Sequence, residues 1–264
     1  MPIITLTTDF GEQDGYVAAM RGVILSLAPD ITLVDVSHAI TPGAIRQGAS
    51  VLASAVPFFP PATIHVVVVD PGVGSARRPL LLHTPYGLLV GPDNGLLTET
   101  ARLAWGDDLP AAAYHLNRPD VWRAMVSATF HGRDIFAPVA ARLALGASPP
   151  SLGDFIADPI TLPPLIPTPL AGGWRGEVLH IDRFGNLITT LEVARLPAPP
   201  VVGRAVVEAA GQRIPLARTF SDVEVGALVA YVGSSGRIEV AIRQGDAASA
   251  LGMGVGAPVN LWNL

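Results

Sequence analysis

The stretch Thr63-Ile64-His65-Val66-Val67-Val68-Val69-Asp70-Pro71-Gly72 decides the architecture. Its four consecutive valines show no apolar-polar alternation, so this strand needs cover on both faces, the situation inside a largely parallel sheet flanked by helices. Pro71 and Gly72 then end the strand, because proline brings no N–H to a ladder and glycine favours a turn. Upstream, β-branched runs alternate with helical periodicity. Ile3 to Thr7 predicts a strand, Asp14 to Leu27 a helix, Thr32 to Val36 a strand and Ala44 to Ala55 a helix. Downstream, Leu80 to Val90 predicts a hairpin turning at Pro85-Tyr86-Gly87, followed by helical patterns at Gly95 to Ala104 and Ile135 to Leu145. This is a βαβ rhythm, and residues 1–155 are expected to form an α/β sandwich around a mostly parallel central sheet.

Prolines crowd the next stretch, with Pro149-Pro150, Pro163-Pro164, Pro167 and Pro169 between Ala147 and Gly173, so neither a helix nor a central strand can run through it. Residues 156–172 are read as a Pro-rich linker. Beyond it come short alternating segments separated by glycine turns, among them Gly176 to Ile181, Ala205 to Ala209, Leu228 to Val232 and Arg237 to Ile242. They predict a smaller C-terminal β-barrel over residues 173–264. A chain of 264 residues is long enough for two unequal domains with their own cores.

Composition removes several classes of function. The net charge is -5 and only 15% of residues are charged, so no basic stripe exists to neutralise phosphates and nucleic acid is not an expected partner. All 17 basic residues are arginine, and without lysine neither a Schiff base nor a P-loop can be built. With no cysteine, disulfides, zinc-thiolate sites and thiol nucleophiles are excluded. No apolar run approaches the ~18 residues of a membrane span, and the first residues carry no signal-peptide pattern, so a cytoplasmic protein is expected. The six histidines form no HExxH or other close ligand pairing, and no metal site is expected.

Polar residues gather where the expected strands end, which in open α/β sheets is where ligands bind. Thr8-Asp9-Phe10-Gly11 follows the first strand, with Asp14 at the start of the helix. Asp70 to Arg78 follows the third strand, and Phe130-His131-Gly132-Arg133-Asp134 forms a further cluster. Each has a plain structural alternative. Asp14 suits a helix N-cap, Asp9 an Asx turn, and Asp70-Pro71-Gly72 a turn. Gly72-x-Gly74-x-x-Arg77 lacks the third glycine of a dinucleotide fingerprint. Phe184-Gly185-Asn186 reads on its own as a turn between strands, and Pro92-Asp93-Asn94-Gly95 as a turn into a helix.

Taken in order, Thr7-Thr8-Asp9-Phe10-Gly11, Val34-Asp35-Val36-Ser37-His38, Val69-Asp70-Pro71-Gly72-Val73-Gly74, Pro92-Asp93-Asn94-Gly95-Leu96-Leu97, Phe130-His131-Gly132-Arg133-Asp134, Asp182-Arg183-Phe184-Gly185-Asn186 and Ser234-Ser235-Gly236 resemble the S-adenosyl-L-methionine (SAM) hydroxide adenosyltransferase family, related to the SAM-dependent fluorinase and chlorinase. The resemblance spans nearly the whole chain. It implies an enzyme that cleaves SAM with water into adenosine and L-methionine, built as a homotrimer with sites between subunits and using no cofactor. It also implies catalytic roles for Asp70, Arg77 and His131, with Arg78 adjacent enough for the arginine role to slip by one. Asp9 would bind the ribose hydroxyls, Asp14 and Asp182 would face the methionine ammonium, Asn186 and Phe184 would hold adenine, and Ser234 would meet the methionine carboxylate. Ser235 stands where fluorinating relatives carry an arginine, and Gly132 where they carry a serine. A SAM-dependent chlorinase giving 5′-chloro-5′-deoxyadenosine and a non-catalytic SAM or adenosine sensor are the alternative readings.

Overall fold

The computed structural model describes residues 1–107 and 110–263. The chain divides into two compact units, Met1–Leu162 and Pro163–Leu264.

The first unit contains β1 (Ile3–Thr8), α1 (Tyr16–Leu27), β2 (Thr32–Ser37), α2 (Ile45–Ala55), β3 (Thr63–Val68), β4 (Pro79–Thr84), β5 (Gly87–Pro92), α3 (Leu96–Trp105), β6 (Ala112–His115), α4 (Ala137–Ala144), α5 (Pro149–Leu152) and β7 (Asp154–Ile156). The sheet order is β2-β1-β3-β5-β4-β6-β7. Strands β2, β1, β3 and β5 pair in parallel, whereas β4, β6 and β7 join antiparallel, so the sheet is mostly parallel with an antiparallel margin. Every residue of β3 is buried. Ile64, Val66 and Val68 pack on Met20, Ile24, Phe136 and Val139 from α1 and the α4 region, whereas Val67 and Val69 pack on Leu52, Leu96 and Leu97 from α2 and α3. The unbroken valine run is thus explained by two helical layers, each burial contributing about 1.5–3 kcal/mol.

The chain leaves β1 for β2 on one side, and the next crossover carries it back past β1 to β3. Successive connections diverge there, which opens a crevice at the carboxyl ends of β1 and β3. Thr8 pairs with Val68, so Asp9 and Asp70 emerge side by side at that opening. One further feature bears on the site. Helical structure was expected from Ile135, but it starts earlier, as a wide π turn over Gly132–Phe136 that runs directly into α4.

The second unit contains β8 (Thr168–Leu170), β9 (Gly173–Ile181), β10 (Leu187–Glu192), β11 (Val206–Ala209), β12 (Gln212–Pro215), β13 (Leu228–Val232), β14 (Arg237–Ile242), α6 (Ala247–Leu251) and β15 (Pro258–Trp262). The strands form an antiparallel sheet ordered β12-β11-β15-β9-β10-β14-β13, with β8 added on β9. A bridge from Leu216 to Ala230 and the Ala217 N–H bond to the Ala230 carbonyl at 2.8 Å draw its two ends together into a nearly closed barrel. Its interior holds Val178, Leu187, Leu191, Val207, Val240 and Leu261. Two short strands occupy part of the stretch read as linker, β7 ending at Ile156 and β8 at Thr168–Leu170. Both lie at sheet margins, where Pro169 is tolerated.

Candidate active site

The loop from Asp70 to Arg78 folds back on itself. Val73 N–H donates to the Asp70 carbonyl at 3.2 Å and Ser75 N–H to the Gly72 carbonyl at 3.1 Å. Gly74 sits at φ +79°, and a Cβ there would stand 2.4 Å from the Ala128 carbonyl oxygen, so only glycine fits. This return brings Arg77 across Asp70. Arg77 Nε donates to Asp70 Oδ1 at 2.9 Å, and Nη2 donates to Asp70 Oδ2. Both side chains are almost wholly buried, 8% and 4% exposed. The same Nη2 donates to His131 Nδ1 at 2.7 Å. Two residues of this loop and the distant His131 therefore form one hydrogen-bonded cluster.

Its electrostatics assign proton positions. Arginine only donates, so His131 Nδ1 accepts, and in the neutral imidazole the proton resides on Nε2. Burial and the Arg77 guanidinium both lower the His131 pKa from 6.5, which favours this neutral ring. Arg77 Nη1 is buried and bonds no protein group among the described residues. Leaving such a donor unmet costs about 1–3 kcal/mol, so the cluster is short of one acceptor. The guanidinium carbon lies 5.5 Å from the centre of the Phe136 ring, which closes that side with apolar surface. Arg78 is engaged elsewhere, with Asp93 at 2.7 Å and Asp158 at 2.9 Å. The arginine of the cluster is thus Arg77.

Asp9 is held beside the same opening, its Oδ2 accepting from Gly43 N–H at 2.8 Å. Asp14 is exposed, and α1 is preceded by Gly15 as its N-cap, with no side-chain cap bond, so the capping role weighed for Asp14 is corrected. Asp93 and Asn94 keep their structural reading. Asp93 Oδ1 accepts from Ile160 N–H at 2.8 Å, and Asn94 ties the Val69 carbonyl at 2.9 Å to Leu96 N–H at 3.1 Å, where α3 starts.

In the barrel unit, Asp182, Phe184, Asn186 and Ser234 all line one cavity of about 830 Å³. Asp182 Oδ1 accepts from Phe184 N–H at 2.8 Å and Asn186 N–H at 2.9 Å, while Oδ2 accepts from Asn186 Nδ2 at 2.8 Å. The turn read from sequence is therefore present, and it also builds the cavity wall. Phe184 is 75% exposed and presents a large aromatic face at the cavity. Phe220, Tyr231 and Glu239 are among the lining residues that the sequence did not single out. The Phe220 and Tyr231 rings lie 4.6 Å apart, and Tyr231 Oη donates to Glu239 Oε2 at 2.8 Å. Burial raises the Glu239 pKa above the usual carboxylate range, against the lowering effect of the Tyr231 bond. Alternation within β13 and β14 marked Tyr231 and Glu239 as strand residues without telling which face meets the cavity. A separate cavity of about 480 Å³ in the first unit contains none of the candidate residues, and its Glu99 and Arg102 pair with each other at 2.8 Å.

Residues 4–153 match the model of the SAM hydroxide adenosyltransferase N-terminal domain, and residues 176–260 that of its C-terminal domain. The chain belongs to the SAM hydroxide adenosyltransferase family. It is 46% identical over 256 residues to the (R)-S-adenosyl-L-methionine hydrolase of Salinispora arenicola, covering 95% of this chain and 94% of that one. It is 28% identical to the fluorinase of Actinopolyspora mzabensis, over 91% of this chain and 90% of the relative. Its fold resembles that of an uncharacterized conserved protein from Thermotoga maritima, with TM-score 0.90 and 31% identity, covering 98% of this chain and 100% of that one. Within this SAM hydroxide adenosyltransferase, a Cβ on Gly132 would stand 3.1 Å from Met20 Sδ and 3.3 Å from Phe10 Cε2. A serine at this position would therefore need Met20 or Phe10 to give way.

Proposed function

We propose that this enzyme hydrolyses SAM, a water-derived hydroxide attacking the ribose C5′ and expelling L-methionine as adenosine forms. The C5′–O bond forms as the C5′–S bond breaks, and the electron pair of that bond returns to sulfur, which leaves as a neutral thioether. The observation that carries this reading is Arg77, buried between Asp70 and His131 with Nη1 lacking a protein acceptor. Arg77 Nη1 and His131 Nε2–H supply donors suited to a small anion, and Asp70 holds the guanidinium in place. Free water, with a pKa of about 15.7, is a poor nucleophile, so stabilising its conjugate base at neutral pH is the main task, and the proton that the water gives up is released to solvent. His131 steadies the hydroxide as a donor, because its Nδ1 is occupied by Arg77. Attack on a sulfonium merges opposite charges, so buried surroundings such as the Phe136 face favour the step.

Asp9 takes the ribose hydroxyls, its carboxylate oxygens each able to accept an O–H bond. Asp14 and Asp182 meet the methionine ammonium. Asn186 spends Nδ2 on Asp182, which leaves Oδ1 to accept from the adenine amino group. Phe184 stacks on adenine, and Ser234 donates to the methionine carboxylate. The functional assembly in this reading is a homotrimer with sites between neighbouring subunits, in the cytoplasm. No metal or cofactor is needed, since the sulfonium is already an activated leaving group. No helix among the described residues is long and apolar enough to cross a membrane.

The test is to incubate the protein with SAM in chloride-free buffer and follow products by chromatography. Equal amounts of adenosine and L-methionine, absent with Asp70→Ala, are expected. Formation of 5′-chloro-5′-deoxyadenosine alone, and only after chloride is added, would assign a halogenase. SAM retained without product would leave a sensor.

A further inference from the structure

The motif Val34-Asp35-Val36-Ser37-His38 has no role in the mechanism above, yet it ends in a buried histidine whose ring is bonded on both sides. His38 Nε2 lies 3.0 Å from Asp35 Oδ1, and Nδ1 lies 2.9 Å from Thr8 Oγ1. The side chain is 1% exposed. Asp35 in turn bonds Arg21. With the Asp35 carboxylate as acceptor, the His38 tautomer has its proton on Nε2, and Nδ1 accepts from the Thr8 hydroxyl. Thr8 Oγ1 is then turned to accept from Phe10 N–H at 3.2 Å. The His38 carbonyl meanwhile accepts from Gly11 N–H at 2.8 Å. One residue therefore grips the Thr8-Asp9-Phe10-Gly11 loop at both ends, through Thr8 and through Gly11, with Asp9 between the grips.

We propose that His38 is a positioning residue for substrate binding: through Thr8 it orients the loop that carries Asp9 and so sets how well the Asp9 carboxylate engages the ribose hydroxyls. The direction of each bond supports this. The relay from Phe10 N–H to Thr8, His38 and Asp35 donates consistently along its length, which limits Thr8 to one hydroxyl orientation. Asp9 is thereby anchored from three sides, the third being Gly43 N–H on Oδ2. The inference rests on the ribose assignment of Asp9, and the experiment separates the two.

Calorimetric titration with adenosine and with 2′,3′-dideoxyadenosine measures the preference for ribose hydroxyls. Asp9→Ala is expected to abolish that preference. His38→Gln places its amide near Nε2 and keeps Asp35 but not Thr8, whereas His38→Asn places its amide near Nδ1 and keeps Thr8. Gln and the near-isosteric Thr8→Val should each lower the preference by about tenfold, the scale of one hydrogen bond to a charged group, while affinity for the dideoxynucleoside holds. Asn should retain the preference. A purely space-filling histidine predicts the opposite order, because glutamine matches its volume better. Unchanged preference in His38→Gln and Thr8→Val, with Asp9→Ala still abolishing it, would overturn the proposal and leave the ribose assignment standing. Unchanged preference in Asp9→Ala would remove that assignment and the proposal with it. Dideoxynucleoside affinity also serves as the folding control for every variant.

Discussion

At the scale of single residues, the Asp70, Arg77 and His131 cluster makes two demands that can be measured. Lysine at position 77 would keep a positive charge but lose the planar fork that holds Asp70 with two bonds and still reaches His131. Arg77→Lys is expected to lower kcat by about 10²–10³, the usual effect of losing a donor to a developing or bound anion, with SAM affinity little changed. Stopped-time product assays alongside equilibrium SAM binding would check the split, and a loss confined to binding would count against the role of Arg77. The second demand concerns pH. His131 must be neutral for Nδ1 to accept from Arg77, and burial with the adjacent guanidinium lowers its pKa from 6.5. Activity should therefore hold through neutral pH and fall only in acid, below pH 6.5, as protonation turns the Arg77 contact repulsive. A pH profile of kcat/KM with a limb above 6.5 would contradict this. The residue types of the cluster were legible in the sequence through matching motifs. Which of the adjacent Arg77 and Arg78 belongs to it was not, because that depends on how the 70–78 loop returns past Ala128.

Elements show a similar division. The run Val66-Val67-Val68-Val69 declared a strand covered on both faces, and β3 is that strand. The π turn at Gly132–Phe136 could not be read, since a single widened turn leaves the periodicity of the following helix intact. β10 lacks clean alternation, its burial running through Thr189, Thr190 and Leu191 together, and β15 is short and begins with proline, so neither stood out. β3 also carries a cost that its apolar neighbours hide. His65 is fully buried, with Nδ1 2.8 Å from Thr5 Oγ1 and Nε2 lacking a partner among the described residues. Burial depresses its pKa from 6.5 to about 4. A depressed histidine pKa means that the unfolded chain takes up the proton first. Stability contributed by the neutral ring is therefore complete above pH 6.5 and drains away as pH falls towards 4. The difference amounts to about 3 kcal/mol at 1.36 kcal/mol per pKa unit. Urea titrations of the wild type and His65→Gln across this window should converge at low pH if the variant removes the acid sensitivity; parallel curves would assign that sensitivity to other groups.

At the scale of the whole molecule, the candidate residues fall into two groups carried by separate units. Asp9, Asp14, Asp70, Arg77 and His131 belong to the α/β unit, and Asp182, Phe184, Asn186 and Ser234 to the barrel unit. The order of motifs along the chain revealed both groups, but oligomeric assembly leaves no local pattern in a sequence and was expected from the family resemblance alone. A trimer with sites shared between neighbouring subunits makes a quantitative prediction. Asp70→Ala removes a member of the proposed nucleophile cluster and Asn186→Ala the proposed adenine contact, so each is expected to be inactive as a pure species. When equal amounts are co-expressed and assemble at random, a shared site is intact whenever the α/β unit comes from an Asn186→Ala copy and the barrel unit from an Asp70→Ala neighbour. That combination arises at about one quarter of sites in a cyclic assembly. Adenosine formation at about one quarter of the wild-type rate would support the shared site. Its absence from a mixture shown by mass measurement to contain mixed trimers would mean that each site draws all of these residues from a single chain.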